Sequence, residues 1–172
     1  TSPFTYDKVS HSIELINLPK EVTASYYIYT SDFEPIDEAI NAGQYLTMAE
    51  LNYDAENYSL IGSSISRICY FEIEKATIDI SELTFENKTV NENNLTHTVK
   101  IKGTLPNGVS VKYYLGKSEI EFSGAKYAGE YKIRASFVYD TVNYNKINDM
   151  EATLTILSLE SQIPEVEIKE LY

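Results

Sequence analysis

The sequence predicts an all-β protein built as two tandem sandwich modules. Three observations carry this: apolar and polar residues alternate in strand-length runs, the composition favours strands, and a set of short phrases occurs twice in the same order. Among 172 residues there are 15 Tyr, 7 Gly, one Cys and no Trp. Tyr, Ile, Val and Thr fit a pleated, half-buried surface, so their abundance favours strands over helices.

The repeated phrases set the domain boundaries. L-P-K-E-V-T-A-S-Y-Y at 18–27 returns as L-P-N-G-V-S-V-K-Y-Y at 105–114. A-G-Q-Y at 42–45 returns as A-G-E-Y at 128–131, and D-A-E-N-Y at 54–58 as D-T-V-N-Y at 140–144. C-Y-F-E-I at 69–73 pairs more loosely with A-T-L-T-I at 152–156. Landmarks recurring in order at nearly constant spacing mark a repeat architecture. The predicted modules span 1–77 and 78–160, with 161–172 a tail or the start of a further module.

Within each module the alternation names the strands. In the first, Ile13 and Leu15 begin an inward row, Val22, Ala24, Tyr26 and Ile28 form the next, and Tyr45, Thr47, Ala49 and Leu51 the third. Cys69, Phe71 and Ile73 close it. The second module repeats this with Val99 and Ile101; Val109, Val111 and Tyr113; Tyr131, Ile133, Ala135 and Phe137; and Ala152, Leu154 and Ile156. Successive side chains point to opposite faces of a strand, so Lys100, Lys132, Arg134 and Thr153 stand outward. The Leu105-Pro106-Asn107-Gly108 phrase and the two Asn-Tyr loops supply turn chemistry between strands. Helical spacing holds only over Glu34–Ile40, for a turn or two. Residues 74–85 contain neither Gly nor Pro and read as a short, stiff junction.

The phrase A-G-x-Y has a structural explanation. In immunoglobulin-like sandwiches a Tyr near the start of one strand folds its ring inward and bonds backbone a few residues upstream. A Gly just before it gives the turn room and tolerates φ > 0. Gly43 with Tyr45, and Gly129 with Tyr131, fill these structural roles. The predicted fold is therefore a pair of immunoglobulin-like β-sandwiches; a β-grasp-like layout with Glu34–Ile40 as a short helix is the alternative.

Taken together, L-P-x-G-V-x-V-x-Y, A-G-x-Y-x-I-x-A, the D-x-x-N-Y loop and the closing A-T-L-T-I resemble the MBG repeats of large bacterial cell-surface and adhesin-like proteins. The likeness covers nearly the whole chain, twice. Family members often open with a Y-D-G phrase. Tyr6-Asp7-Lys8 looks like a degraded version of it, and Phe85-Glu86-Asn87 replaces it in the second copy. The resemblance implies an extracellular β-module at the bacterial surface, part of a longer secreted or wall-anchored protein. It implies a non-catalytic spacer or stalk with a role in adhesion, whose partners are neighbouring repeats of the same chain. It brings no catalytic residue and no cofactor.

Charge and motifs bound the remaining functions. With 14 Lys and Arg against 26 Asp and Glu, the net charge of −12 repels phosphate backbones and anionic lipid, so neither nucleic acid nor direct membrane contact is expected. No apolar run approaches the ~20 residues of a membrane helix, and the start lacks the pattern of a signal peptide. The chain therefore reads as cytosolic or as a piece of something longer. His11 and His97 fall in different modules without metal-ligand spacing, and the acidic loops at 32–38 and 54–56 lack the order of a calcium loop. No nucleophile motif accompanies the histidines, so no enzyme is expected. Cys69 aligns with Ala152 on an inward face and reads as an inert buried thiol. Asn57-Tyr58-Ser59, Asn87-Lys88-Thr89 and Asn94-Leu95-Thr96 match the glycosylation acceptor pattern by chance in an Asn-rich chain. Tyr27, Tyr29 and Tyr114 stand outward beside inward neighbours. They are the candidate contacts for a second reading, a module that binds host glycan or protein through exposed aromatic rings.

Overall fold

The computed structural model describes residues 3–59 and 67–159; the 161–172 tail lies outside them. Among the described residues the chain is all-β with no helix, its strands forming two mixed sheets, an arrangement compatible with a β-sandwich. It divides into two compact units, Thr1–Thr77 with Asp140–Lys146, and Ile78–Tyr139 with Ile147–Tyr172.

In the first unit, β1 (Phe4–Thr5), β2 (Thr23–Thr30), β3 (Pro35–Ile36), β4 (Gly43–Asn52) and β5 (Ile68–Glu74) form a sheet in the order β1-β5-β4-β2-β3. β4 runs antiparallel to both β2 and β5, whereas β1 lies parallel to β5 with Phe4 opposite Ile73. The inner face buries Phe71 and Ile73 with Ala39, and Ile13, Ile28 and Tyr45 pack against them. In the second unit, β6 (Lys88–Asn91), β7 (Ser110–Leu115), β8 (Gly129–Val138) and β9 (Met150–Leu157) take the order β6-β9-β8-β7. Again the first strand is parallel to the last, with Val90 opposite Ile156. Ile133 and Leu154, at 1% and 0% exposure, centre its core.

The alternation at Ile13 and Leu15, and at Val99 and Ile101, predicts strands; the structure has arms outside the strand ladders there instead. Burial follows the alternation, with Val99 buried and Glu14 and Lys100 exposed. What differs is the bonding. The Leu15 N–H donates to the Tyr26 hydroxyl at 3.0 Å, and the Ile101 N–H donates to the Tyr113 hydroxyl at 3.0 Å. A tyrosine rising from the sheet satisfies the arm where a ladder partner would.

Two further expectations are corrected. No helix forms over Glu34–Ile40, which removes the β-grasp layout: Pro35 and Ile36 pair with Tyr29 and Ile28 as β3. Pro35 disfavours the α region for Glu34 and has no N–H for a helical ladder, while Ile36 and Ala39 join the core. In the second copy, Phe85-Glu86-Asn87 is not the counterpart of the opening phrase. Asp7 Oδ1 accepts the Val9 N–H at 2.9 Å across Lys8 at φ 72°, and Asn93 Oδ1 accepts the Leu95 N–H at 3.0 Å across Asn94 at φ 64°. Asn93-Asn94 thus does the work of Asp7-Lys8.

The Leu-Pro turns close alike and twist differently. Val22 N–H donates to the Pro19 carbonyl at 3.0 Å and Val109 N–H to Pro106 at 3.1 Å. Gly108 stands at φ 78°, whereas Glu21 closes its turn at negative φ, the conformation a side chain allows.

Candidate functional site

The A-G-x-Y phrases fold into the same corner. Tyr45 donates its hydroxyl to the Asn41 carbonyl at 2.8 Å, and Tyr131 donates to the Tyr127 carbonyl at 2.9 Å. Each ring lies over the glycine two residues before it. A Cβ on Gly43 would stand 3.4 Å from the Tyr45 hydroxyl, and one on Gly129 would stand 3.4 Å from the Tyr131 ring. A Cβ at 3.4 Å would make ordinary contact with either ring, so the backbone demands glycine only at Gly129, which holds φ 155°, while Gly43 has negative φ. Burial raises the pKa of the Tyr45 hydroxyl, which keeps it a donor.

The D-x-x-N-Y loops also fold alike. Asp54 Oδ1 accepts the N–H groups of Glu56 and Asn57, and its Oδ2 takes the Asn57 side-chain amide at 2.7 Å. Asp140 does the same for Val142, Asn143 and the Asn143 amide, again at 2.7 Å. These donors hold both carboxyls below the ordinary aspartate range, the asparagine amide contributing most. The Asp140–Lys146 segment belongs to the first unit, and there Asn143 is 5% exposed. Its Oδ1 accepts the Ala42 N–H at 2.7 Å and its Nδ2 donates to Asn41 Oδ1 at 3.0 Å. Its carbonyl accepts the Ala76 N–H at 2.9 Å, and the Tyr144 ring meets Tyr6 edge-on at 5.4 Å. Asn57 is exposed.

Among the outward tyrosines, Tyr27 and Tyr29 share the outer face of the first sheet. Tyr27 is 48% exposed and Tyr29 half-buried. Cross-strand pairing aligns Tyr27 with Met48 and Ile68, and Tyr29 with Leu46 and Tyr70. Leu46 points outward by alternation yet is 0% exposed, standing between the positions of Tyr29 and Tyr70. An open concavity of about 660 Å³ is lined there by Tyr27, Tyr29, Met48 and Ile68 together with Glu50 and Arg67. The Tyr27 hydroxyl donates to Glu50 Oε2 at 3.3 Å, and the Glu50 charge raises its pKa. Sequence reasoning missed Tyr70, 63% exposed, although it is the period-two complement of Cys69 and Phe71.

Tyr114 belongs to the second unit and has a different setting. The Arg134 guanidinium lies 4.8 Å above its ring and is fixed by Asp149 at 2.9 Å and by the carbonyls of Gly116 and Ser118. The bond to Asp149 leads the causes that raise the arginine pKa. One ring face of Tyr114 is therefore already occupied by a cation.

Each histidine is held locally. His11 Nε2 lies 3.0 Å from Asp7 Oδ1 and its ring stacks on Phe4 at 4.4 Å, while His97 Nε2 lies 2.8 Å from Asn93 Oδ1. Among the described residues no group of His, Cys, Asp and Glu gathers as metal ligands. Cys69 is half-buried rather than sealed in the core, while its cross-strand partner Thr47 is 2% exposed. Comparison with family models, with curated proteins and with solved structures gives no match to this chain.

Proposed function

We propose that this chain is a non-catalytic structural and interaction repeat: two immunoglobulin-like sandwich modules in tandem, of the MBG type, serving as spacer or stalk in a large bacterial cell-surface protein. The observation that carries the reading is the recurrence of matched bonds at matched positions. The hydroxyls of Tyr45 and Tyr131 bond backbone four residues upstream, those of Tyr26 and Tyr113 anchor the arms, and Asp54 and Asp140 organise their loops in the same way. These repeated polar groups are committed to holding their own backbone, as a spacing module requires and as a reactive centre does not. Antibodies raised against the chain test this on intact producing cells. The reading expects labelling before permeabilisation and loss of the label on brief external proteolysis; labelling only after lysis would sink it.

A second reading rests on the outer face of the first sheet, where Tyr27, Met48, Ile68 and Tyr70 form an aromatic and apolar strip, and Glu50 and Arg67 join Tyr27 and Ile68 in lining the concavity. Such strips stack on sugar rings or anchor a protein. A glycan array probed with the chain should give a hit that Tyr27→Ala and Tyr70→Ala abolish. A hit unaffected by both, or no hit, counts against a glycan site here.

A further inference from the structure

We propose that the Asp54–Tyr58 loop is a docking element that receives the Tyr127–Gly129 turn of a second copy of this chain, head to tail. The bonding of its twin in the first unit shows what such a loop can hold. Once Asp140 has organised the loop, Asn143 has three groups left over: its side-chain oxygen, one amide hydrogen and its carbonyl. They take the Ala42 N–H, the Asn41 amide oxygen and the Ala76 N–H respectively. Asn57 is tied to Asp54 by the same internal bonds, and among the described residues the same three groups take no partner, on a residue exposed to solvent beside a Tyr58 that is 53% exposed.

The complementary surface is the A-G-x-Y turn, because that is what Asn143 reads. The second unit carries the same turn, and Ala128 at its centre is exposed. The Ala128 N–H has Glu92 Oε1 at 3.4 Å, a long contact, where Ala42 has Asn143 at 2.7 Å. A loop with an unused acceptor and a turn with a weakly held donor thus occur on one molecule. Tyr127 replaces Asn41, and the Tyr127–Gly129 turn carries no counterpart of the Ala76 N–H, so the contact keeps one of the template's three bonds and is weaker than it. A loop on one copy meeting a turn on the next is a heterologous contact, which closes a ring or continues as a filament according to its rotation. The proposal deepens the repeat reading and rests on it for the choice of a like copy as partner.

Amide spectra of the 15N-labelled 172-residue chain, recorded from about 50 µM to about 1 mM, test it. The expected result is a concentration-dependent, saturable shift of signals from residues 54–58 and 127–129 together. Asn57→Ala should weaken it at least about tenfold at both patches while leaving the other signals in place, which shows that the variant is folded. Tyr127→Glu, which sets a carboxylate opposite Asp54, should do the same. Mixing the two variants should restore a contact, because each keeps the half that the other has lost. Signals that stay fixed up to about 1 mM, or shifts confined to another surface such as the Tyr27 strip, would overturn the proposal. Surface labelling of cells is independent of this result, so failure of the docking and failure of the spacer reading are told apart.

Discussion

Residues 54–58 and 140–144 form the same loop in two surroundings. Inside each, an aspartate collects two backbone N–H groups and the amide of the asparagine three residues on. Outside, they part company: Asn143 is buried against Asn41, Ala42 and Ala76 within the first unit, whereas Asn57 is exposed. The fold of this phrase is local, set by short polar side chains that bond their own backbone. Its energetic weight comes from the neighbours, because a hydrogen bond matters most where its loss strands a buried group.

Substituting the two asparagines is the strongest way to break that comparison. Asn143→Ala strands the half-buried Ala42 N–H and removes the partner of the exposed Asn41 amide, and should cost about 2 kcal/mol in urea unfolding. Asn57→Ala should cost no more than about 0.5 kcal/mol, as for a surface change. Equal losses would mean that surroundings do not separate the loops. Next come the two corners: Tyr45→Phe and Tyr131→Phe should each lose about 1 kcal/mol, one hydroxyl bond apiece. A variant with unchanged stability would mean that its hydroxyl bond carries no net weight.

The glycines sharpen the same contrast at smaller scale. Gly129→Ala imposes a side chain at φ 155° and should destabilise by about 1 kcal/mol. Gly43→Ala sits at negative φ against a ring that can shift by tenths of an ångström, and should be nearly neutral. If the two cost the same, ring contact rather than φ sets the requirement.

Acid is the mildest probe. The Asp54 and Asp140 carboxyls are held below their ordinary value of 3.8 by loop donors, so their contribution is present above that value and fades as pH falls through it. Unfolding midpoints should hold above about pH 5 and fall as pH drops below about 4, and Asp54→Asn or Asp140→Asn should flatten the fall. A pH-independent midpoint would contradict the loop electrostatics.

Much of this was legible in the sequence, for identifiable reasons. A-G-x-Y marks its corner because the ring folds back over a small residue at the turn to reach backbone four residues upstream. Alternation located the inner faces but could not tell a strand from an arm, because Leu15 and Ile101 are bonded by tyrosine hydroxyls from β2 and β7. The match between Asp7-Lys8 and Asn93-Asn94 was hidden by the change of residue, although Asp and Asn oxygens both accept an N–H two residues on. Periodicity was also blind to the setting of the two Asn-Tyr loops. Nothing in D-A-E-N-Y or D-T-V-N-Y states which one is buried; that depends on residues distant in the chain, such as Asn41 and Ala76.

The exchange rate of the Ala42 backbone amide, set beside that of Ala128, probes the difference most directly. Both residues open the same turn, one held by Asn143 at 2.7 Å and the other facing Glu92 at 3.4 Å. Ala42 should exchange far more slowly in deuterated buffer than Ala128, and Asn143→Ala should bring the two rates together. Equal rates in the unaltered protein would contradict the burial of the 140–144 loop.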